Sequence, residues 1–190
     1  FQMSKINRRK FLHRTLSSTA SLSFLSILSA TKTTKAAGFL RGTGDVRRIN
    51  LYMPLSGERI DVIYWIDGDY ISEALAEISF VCRDLETNEV KTLDWRIIDM
   101  VAAVQKLLQA DDPLLLVSGY RTLKTSILTS SDKEPMRESI FHLRGQALDI
   151  RSNGRSGRQI SMAGRITKAG GVTNYENSNY VHLDVGPLNT

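Results

Sequence analysis

Hydrophobic and polar residues alternate in the first part of the region that follows residue 45. From Arg48 to Leu55 every second residue is apolar, and a second apolar run extends from Ile60 to Trp65 after the polar segment Ser56-Gly57-Glu58. A period of two is typical of a strand with one buried face, and a short polar turn between two such runs indicates a β-hairpin. We therefore expect a hairpin over residues 48–65.

Three further segments carry apolar residues at helical intervals. Ile71 to Val81 and Leu93 to Leu108 show this spacing, and Asp94 is a residue type that caps helix N-termini. Ile160 to Lys168 predicts another helix, which we expect to end at Gly170-Gly171.

Short apolar runs predict the remaining strands. Leu114 to Val117 is continuously apolar, as in a buried strand, and Ala147 to Ile150 and Tyr180 to Val185 also resemble strands. The polar, Ser-rich stretch from Leu123 to Ile140 predicts a short helix followed by a mobile loop. This order of elements indicates an α+β fold, with a small antiparallel sheet and flanking helices.

The length of 190 residues and the 42% apolar content are enough for one domain with a packed core. The net charge of +5 is unevenly distributed, because 7 of the 25 basic residues and none of the 20 acidic residues lie in the first 35 positions. The remaining 18 basic against 20 acidic residues give about −2, which removes the main support for nucleic-acid binding. Cys82 is the single cysteine, so an intrachain disulfide and thiolate zinc frameworks are excluded.

The basic charge belongs to a leader. Arg8 and Arg9 precede Lys10-Phe11-Leu12 and a Ser-rich, weakly apolar run, a pattern that resembles a twin-arginine export signal. The run is too short and too polar for a stable membrane span. Cleavage near Ala36 would leave a mature domain at residues 37–190, with the twin-arginine machinery as partner and the periplasm as destination. The alternative is a basic amphipathic N-terminal helix that is retained.

The candidate chemistry lies in the two spaced sets His142-x-x-Gly145-x-x-x-Asp149 and His182-x-Asp184. Imidazole and carboxylate are zinc ligands, and a catalytic site keeps three protein ligands and one open position. We expect His142 on a loop and Asp149 on the strand after it, with Gly145 allowing the turn between them. His182 and Asp184 should share one face of a strand. Asp184 would then either accept a proton from the attacking water or hydrogen-bond a ligand.

Arg121 follows the end of the strand predicted at 114–117. Its planar, permanently charged fork suits a developing oxyanion or a substrate carboxylate. A surface arginine in a turn is the alternative.

Three motifs in order resemble the M15 family of zinc peptidases, and within it most closely a twin-arginine-exported branch of murein endopeptidases. They are Ser118-Gly119-Tyr120-Arg121, His142-x-x-Gly145-x-Ala147-x-Asp149-Ile150-Arg151, and Val181-His182-Leu183-Asp184-Val185-Gly186-Pro187. The likeness covers nearly all of the chain after the leader. It implies the α+β fold shared by zinc D,D-peptidases and the hedgehog signalling domain.

The resemblance also implies an activity and residue roles. The activity is zinc-dependent hydrolysis of peptide cross-links in peptidoglycan, especially those between two diaminopimelate residues. His142, Asp149 and His182 would be the zinc ligands and Arg121 the transition-state arginine. Manganese, cobalt or nickel would suit the same ligand types.

The sequence departs from this family at three places. Asn179 stands where many relatives carry a glutamate as general base, three residues before the last histidine. Phe141 stands where a serine commonly precedes the first histidine, and the segment after Arg121 lacks the usual proline and asparagine. The base is then Asp184 or a group that the sequence does not identify.

The leading hypothesis is a periplasmic zinc endopeptidase of the cell wall. Asn179 keeps open a non-catalytic, zinc-containing domain that binds peptidoglycan. A carboxypeptidase that trims stem peptides is the second alternative. The reaction products distinguish the three hypotheses. An endopeptidase converts cross-linked dimers to monomers, a carboxypeptidase releases single amino acids, and a binding domain releases nothing.

Overall fold

The structure is a computed structural model that describes residues 46–110, 112–129 and 136–188; the predicted leader, 1–36, lies outside them. The strands are β1 (Val46–Met53), β2 (Glu58–Ile66), β3 (Asp69–Tyr70), β4 (Leu114–Ser118), β5 (Ala147–Arg151), β6 (Val172–Tyr175) and β7 (Tyr180–Asp184). The helices are α1 (Ser72–Val81), α2 (Trp95–Leu107), α3 (Leu123–Thr129), α4 (Met136–Leu143) and α5 (Gly157–Thr167), and a single 3-10 turn spans Glu176–Ser178.

The seven strands form one sheet in the order β3-β2-β1-β4-β5-β7-β6. The α+β class is confirmed, but the sheet is neither small nor purely antiparallel. Strands β3 and β6 were not predicted, and β1 pairs with β4 in parallel, with Leu51 opposite Leu114. This pairing joins segments that are far apart in sequence, and local alternation does not reveal a strand's partner.

The predicted hairpin is confirmed as β1 and β2, which pair antiparallel along their length. Ile49, Leu51 and Met53 point into the core because their positions alternate with more exposed residues. Gly57 adopts a φ of +74° in the turn, a conformation that glycine reaches without steric cost.

The helices predicted for 71–81 and 93–108 are confirmed as α1 and α2. The Asp94 side chain caps α2 by accepting a hydrogen bond from the Arg96 amide at 3.0 Å. Helix α5 is also confirmed, and Lys168 at its end agrees with the prediction, but the expectation that Gly170-Gly171 ends the helix was wrong. It ends where Lys168 takes the left-handed conformation at φ 51°, before Gly170-Gly171 is reached.

The sheet separates a hydrophobic core from the candidate site. Helices α1, α2 and α5 pack on the core face, which receives Leu148 and Ile150 of β5 and Val181 and Leu183 of β7. Because side chains alternate along a strand, the intervening residues of β5 and β7 face the opposite side. Helix α4 contacts both strands there.

The expected loop before residue 140 was partly wrong. Leu123–Thr129 forms the short helix as predicted, but residues from Met136 onward belong to α4. Helix α4 has only eight residues, and its contacts with β5 and β7 supply stability that so short a helix lacks alone. No helix in the described ranges is long and apolar enough to span a membrane.

A buried ionic cluster connects the hairpin to α2. Asp99 is completely buried and accepts hydrogen bonds from the hydroxyls of Tyr64 (2.9 Å) and Tyr70 (2.8 Å). Arg47 donates to both oxygens of the same carboxylate at 3.0 and 2.9 Å. These donors compensate the burial of the charge and fix β1, β2 and β3 on the helix.

Candidate metal centre

Strands β5 and β7 place two of the predicted ligands side by side. Asp149 is the direct cross-strand partner of His182, and both side chains are buried on the face opposite the core. The Asp149 Oδ1 atom lies 2.9 Å from His182 Nδ1. The pairing register of these two strands therefore fixes two of the three predicted ligands.

The third predicted ligand, His142, reaches the pair from α4. The expectation that it lies on a loop was wrong, because it sits in the last turn of the helix. The predicted role of Gly145 is confirmed: with a φ of +67° it turns the chain from α4 into β5, and its amide donates to the His142 carbonyl at 3.1 Å. Helix end and turn together direct the His142 side chain over the sheet.

The three side chains converge on one point. One potential ligand atom from each of His142, Asp149 and His182 lies within 4.8 Å of the other two. His142 Nε2 is 3.2 Å from Asp149 Oδ1 and 3.2 Å from His182 Nδ1. Ligands bound tetrahedrally to zinc at about 2.0–2.1 Å lie about 3.3 Å apart. The spacing and the donor types therefore fit a zinc-sized cation.

The opposite ring nitrogens have acceptors that orient the two imidazoles. His142 Nδ1 lies 2.6 Å from the Gly119 carbonyl oxygen, which can only accept, so Nδ1 carries a proton and Nε2 faces Asp149 and His182. His182 Nε2 lies 3.3 Å from Asp184 Oδ2. This contact is close but lacks the alignment of a good hydrogen bond.

Charges within the cluster favour a bound cation. Burial disfavours ionisation of Asp149, but the charges and hydrogen bonds of His142 and His182 outweigh it and hold the pKa of the carboxyl well below its usual range. Burial lowers the pKa of His182, yet its contacts with Asp149 and Asp184 prevail and raise it to about 9. The two carboxylates thus stabilise positive charge at His182, which either a proton or a metal ion supplies.

Asp184 lies behind His182, on the side away from Asp149. Its pKa is lowered because, against the effect of burial, contacts with His182 and the amides of Gly186 and Gly171 stabilise the charge. A Cβ at Gly171 would come within 2.9 Å of the Asp184 carboxyl carbon, and one at Gly186 within 2.7 Å of its Oδ1. Gly170 packs equally closely against the Asp184 main chain. Gly170-Gly171, which was predicted to end α5, therefore leaves the space that the Asp184 side chain and main chain occupy.

Arg121 lies beside the candidate ligands and is 8% exposed. One terminal nitrogen donates to Asp149 Oδ2 at 2.5 Å, and Nε donates to Ser118 Oγ at 2.6 Å. Oδ2 of Asp149 is engaged by Arg121, and Oδ1 faces the two histidines. The guanidinium therefore orients a ligand and places a fixed positive charge next to the metal position.

The loop that carries Arg121 is fastened to the segment after α1. The Tyr120 amide donates to the Cys82 carbonyl at 2.8 Å, and the Thr122 amide donates to Asp84 Oδ2 at 2.7 Å. Burial opposes ionisation of Asp84, but the hydrogen bonds from Thr122 and Thr125 outweigh it and lower its pKa to about 2. Burial raises the pKa of the Cys82 thiol to about 12, so this cysteine is unreactive at neutral pH.

A groove runs from Arg121 and Asp149 across the surface. Its walls come from the β1–β2 turn, the segment 83–86, the end of β4 and α3; the lining side chains include Leu55, Tyr120, Thr125, Thr129 and Tyr180. Both apolar side chains and hydroxyl groups line it, a mixture that suits a peptide with polar substituents. The groove therefore adjoins the candidate site at Arg121 and Asp149.

Glu138 is a buried carboxylate at the site that the sequence did not indicate. It is 7% exposed, and its Oε2 lies 3.9 Å from His182 Nδ1. The sequence placed residue 138 in a loop, and only its spacing of four from His142 on a helix would have revealed it. Asn179, three residues before His182, is exposed and left-handed at φ 52°.

Comparison with known proteins identifies the family. The family model Peptidase_M15_2, described as peptidoglycan L,D-endopeptidase MepK, matches residues 41–190, which include every residue of the site. The chain belongs to the MepK family. It is 33% identical to the peptidoglycan L,D-endopeptidase MepK of Escherichia coli K12 over 132 residues, which are 70% of this chain and 72% of that protein.

A more distant MepK protein is the probable peptidoglycan L,D-endopeptidase of Haemophilus influenzae. It is 24% identical over 136 residues, which are 71% of this chain and 73% of the relative. No solved structure gave a significant match. Membership of the MepK family confirms the resemblance to M15 peptidases that the three motifs indicated.

Proposed function

We propose that this protein is a metal-dependent endopeptidase that hydrolyses peptide cross-links of peptidoglycan in cell wall remodelling. The convergence of His142 Nε2, Asp149 Oδ1 and His182 Nδ1 at one buried point is the observation that carries the proposal. The names of the MepK relatives support peptidoglycan as the substrate. Bonds between two diaminopimelate residues are the specific target that we propose.

Zinc is the metal that we propose, because two imidazoles and one carboxylate at tetrahedral spacing form a common catalytic zinc set. His142, Asp149 and His182 would hold it. A bound zinc ion would lower the pKa of a water molecule to about 7 and polarise the scissile carbonyl. The residues around the ligands then determine how substrate and protons are handled.

Arg121 has two roles in this proposal. Its bond to Asp149 Oδ2 keeps Oδ1 directed at the histidines, and its charge stabilises the oxyanion that forms on the substrate carbonyl. Its position in the wall of the groove supports the second role.

Asp184 orients His182 in this proposal. Its carboxylate lies next to Nε2, whereas Nδ1 faces Asp149 and His142. Of the two roles that the sequence left open for Asp184, this position favours support of a ligand over proton transfer from the attacking water. Losing such a partner typically lowers metal affinity about 10–100-fold.

We also propose that the protein is exported and that its fold is related to that of zinc D,D-peptidases, as the sequence indicated. Residues 1–36 would be a twin-arginine signal cleaved near Ala36, and residues 37–190 would work in the periplasm. Action on peptidoglycan supports that location. The α+β architecture with a histidine and an aspartate on adjacent antiparallel strands is consistent with kinship to zinc D,D-peptidases and the hedgehog domain.

The decisive experiment incubates the zinc-loaded chain with purified muropeptide dimers joined between diaminopimelate residues. Chromatography with mass detection should show monomers, and a chelator should abolish them. Released single amino acids would indicate a carboxypeptidase instead. Intact dimers beside a stoichiometrically bound metal would favour the binding-module alternative and overturn the proposal.

A further inference from the structure

Glu138 lies on the ligand-facing side of the candidate metal centre. It is one helical turn before His142 on α4, so the two side chains share a face of the helix. Its Oε2 is 3.9 Å from His182 Nδ1, the nitrogen that faces Asp149. Asp184, by contrast, lies at the opposite nitrogen of the same ring.

Two hydroxyl groups hold the Glu138 carboxylate in place. Thr173 Oγ1 donates to Oε1 at 2.6 Å, and the Tyr175 hydroxyl donates to Oε2 at 2.5 Å. Thr173 and Tyr175 are two residues apart on β6, and they present their side chains on the same face of the strand. The edge strand that the sequence failed to predict therefore fixes the direction of this carboxylate.

Glu138 is nearly buried without a strong cationic partner. Within the described ranges, His182 is the basic side chain at ion-pair distance from it, and that distance is 3.9 Å. The two hydroxyl groups satisfy its oxygens without neutralising its charge, so a carboxylate that the fold keeps buried beside a ligand cluster points to a role there.

Glu138 and Arg121 flank the cluster from opposite sides. The sheet order β4-β5-β7-β6 places Arg121, after β4, against Asp149 on β5. Glu138, bonded to β6, lies against His182 on β7. One side of the site thus carries a positive charge for an oxyanion, and the other carries a proton acceptor.

We propose that Glu138 is the group that transfers the proton during hydrolysis, an inference that rests on the proposed function. The attacking water forms a C–O bond with the scissile carbonyl carbon and gives one proton to the Glu138 carboxylate. Glu138 then gives this proton to the amide nitrogen as the C–N bond breaks, which releases a carboxylic acid and an amine; the second proton of the water, still on the new carboxyl group, passes to the amine, so the products are a carboxylate and an ammonium group. Glu138 thus acts as the general base. Asn179 cannot take this role, because its side chain is exposed and an amide does not accept a proton at neutral pH.

The test compares Glu138→Gln with the wild-type chain and with Glu176→Gln, the same substitution at an exposed glutamate nearby. The amide is isosteric and can still bond both hydroxyls, but it cannot accept the proton. We expect kcat on diaminopimelate-linked dimers to fall about 10²–10⁴-fold. KM, the affinity for zinc measured by competition with a chromogenic chelator, and the melting temperature should stay close to those of the wild type. Glu176→Gln should leave all four quantities unchanged.

Other results would overturn the inference. An unchanged kcat would exclude proton transfer by Glu138, and a zinc affinity that falls in parallel with kcat would make Glu138 a metal ligand. If Glu138→Gln does not fold, Glu138→Asp replaces it, with the carboxylate drawn back by one methylene. That variant should retain zinc and lose kcat, and an unchanged kcat would again overturn the inference.

The failure of this inference is distinguishable from failure of the proposed function. A wild-type chain that leaves the dimers intact would remove both. A wild-type chain that cleaves them beside an equally active Glu138→Gln variant would remove only the role of Glu138. Tyr175→Phe, which keeps the carboxylate but removes one hydroxyl, should lower kcat less than Glu138→Gln does.

Discussion

Gly119 is the position at which a single methyl group should disturb the whole candidate site. An added Cβ would overlap the Cys82 carbonyl oxygen and come within 2.8 Å of its carbonyl carbon. That oxygen also accepts the Tyr120 amide, and the Gly119 carbonyl orients His142. Gly119→Ala must therefore move the main chain that supports both His142 and Arg121.

The expected size of the effect follows from two contributions. Overpacking against rigid backbone costs about 1–3 kcal/mol of unfolding free energy. Disturbing the acceptor of a metal-binding imidazole lowers metal affinity about 10–100-fold. At saturating zinc, this affinity loss removes a further ~1.4–2.7 kcal/mol of metal-dependent stabilisation.

Thermal unfolding of Gly119→Ala with chelator and with excess zinc separates the two contributions. The chelated sample reports overpacking, and the difference between the two samples reports metal affinity. Gly154→Ala is the matched control, because a Cβ there meets no atom within 4 Å and should change stability by less than about 0.5 kcal/mol. Wild-type melting and zinc affinity in Gly119→Ala would refute the view that this strand end is rigid.

Three further predictions address the metal, pH and export. His142→Ala should reduce bound zinc from one equivalent to nearly none and abolish dimer cleavage, as elemental analysis after dialysis and the cleavage assay would show; one retained equivalent would argue against His142 as a ligand. The pKa of Asp84 is depressed to about 2 from a usual 3.8, so its ionised form adds up to about 2 kcal/mol of stability that is present above about pH 4 and is lost as the pH falls towards 2. Denaturant unfolding should thus show the advantage of the wild type over Asp84→Asn shrinking across that window, and a constant difference would contradict the assignment. Arg8→Lys combined with Arg9→Lys should leave the uncleaved chain in the cytoplasm, which fractionation would detect; normal export of this variant would exclude the twin-arginine route.

The candidate ligand set could be predicted from sequence because each of its motifs has a local spacing and the motifs together resemble those of M15 peptidases. His142, Gly145 and Asp149 lie within one helix–turn–strand unit, and the alternation along a strand gives His182 and Asp184 one face. Alternation does not say which ring nitrogen each neighbour approaches, so the position of Asp184 behind His182 emerged only from the structure.

The features that could not be predicted from the sequence depend on tertiary contacts. Helix α4 is too short to show a strong period, and β6 directly follows a Gly-Gly pair that was interpreted only as a helix end. Glu138 combines both difficulties, because its helix and the strand that holds it were each missing from the prediction. The parallel pairing of β1 with β4 was invisible for the same reason: its partners are distant in sequence.

The position of β7 in the sheet determines the stage of folding at which the candidate metal centre can form. It is the last strand along the described residues, yet it lies between β5 and β6. A chain still emerging from the ribosome would carry β6 without its neighbour and only two of the three candidate ligands, so insertion of this one strand must complete the sheet and the cluster together. A nascent chain would therefore lack the complete candidate metal centre, and under the proposed function metal binding would mark the end of folding.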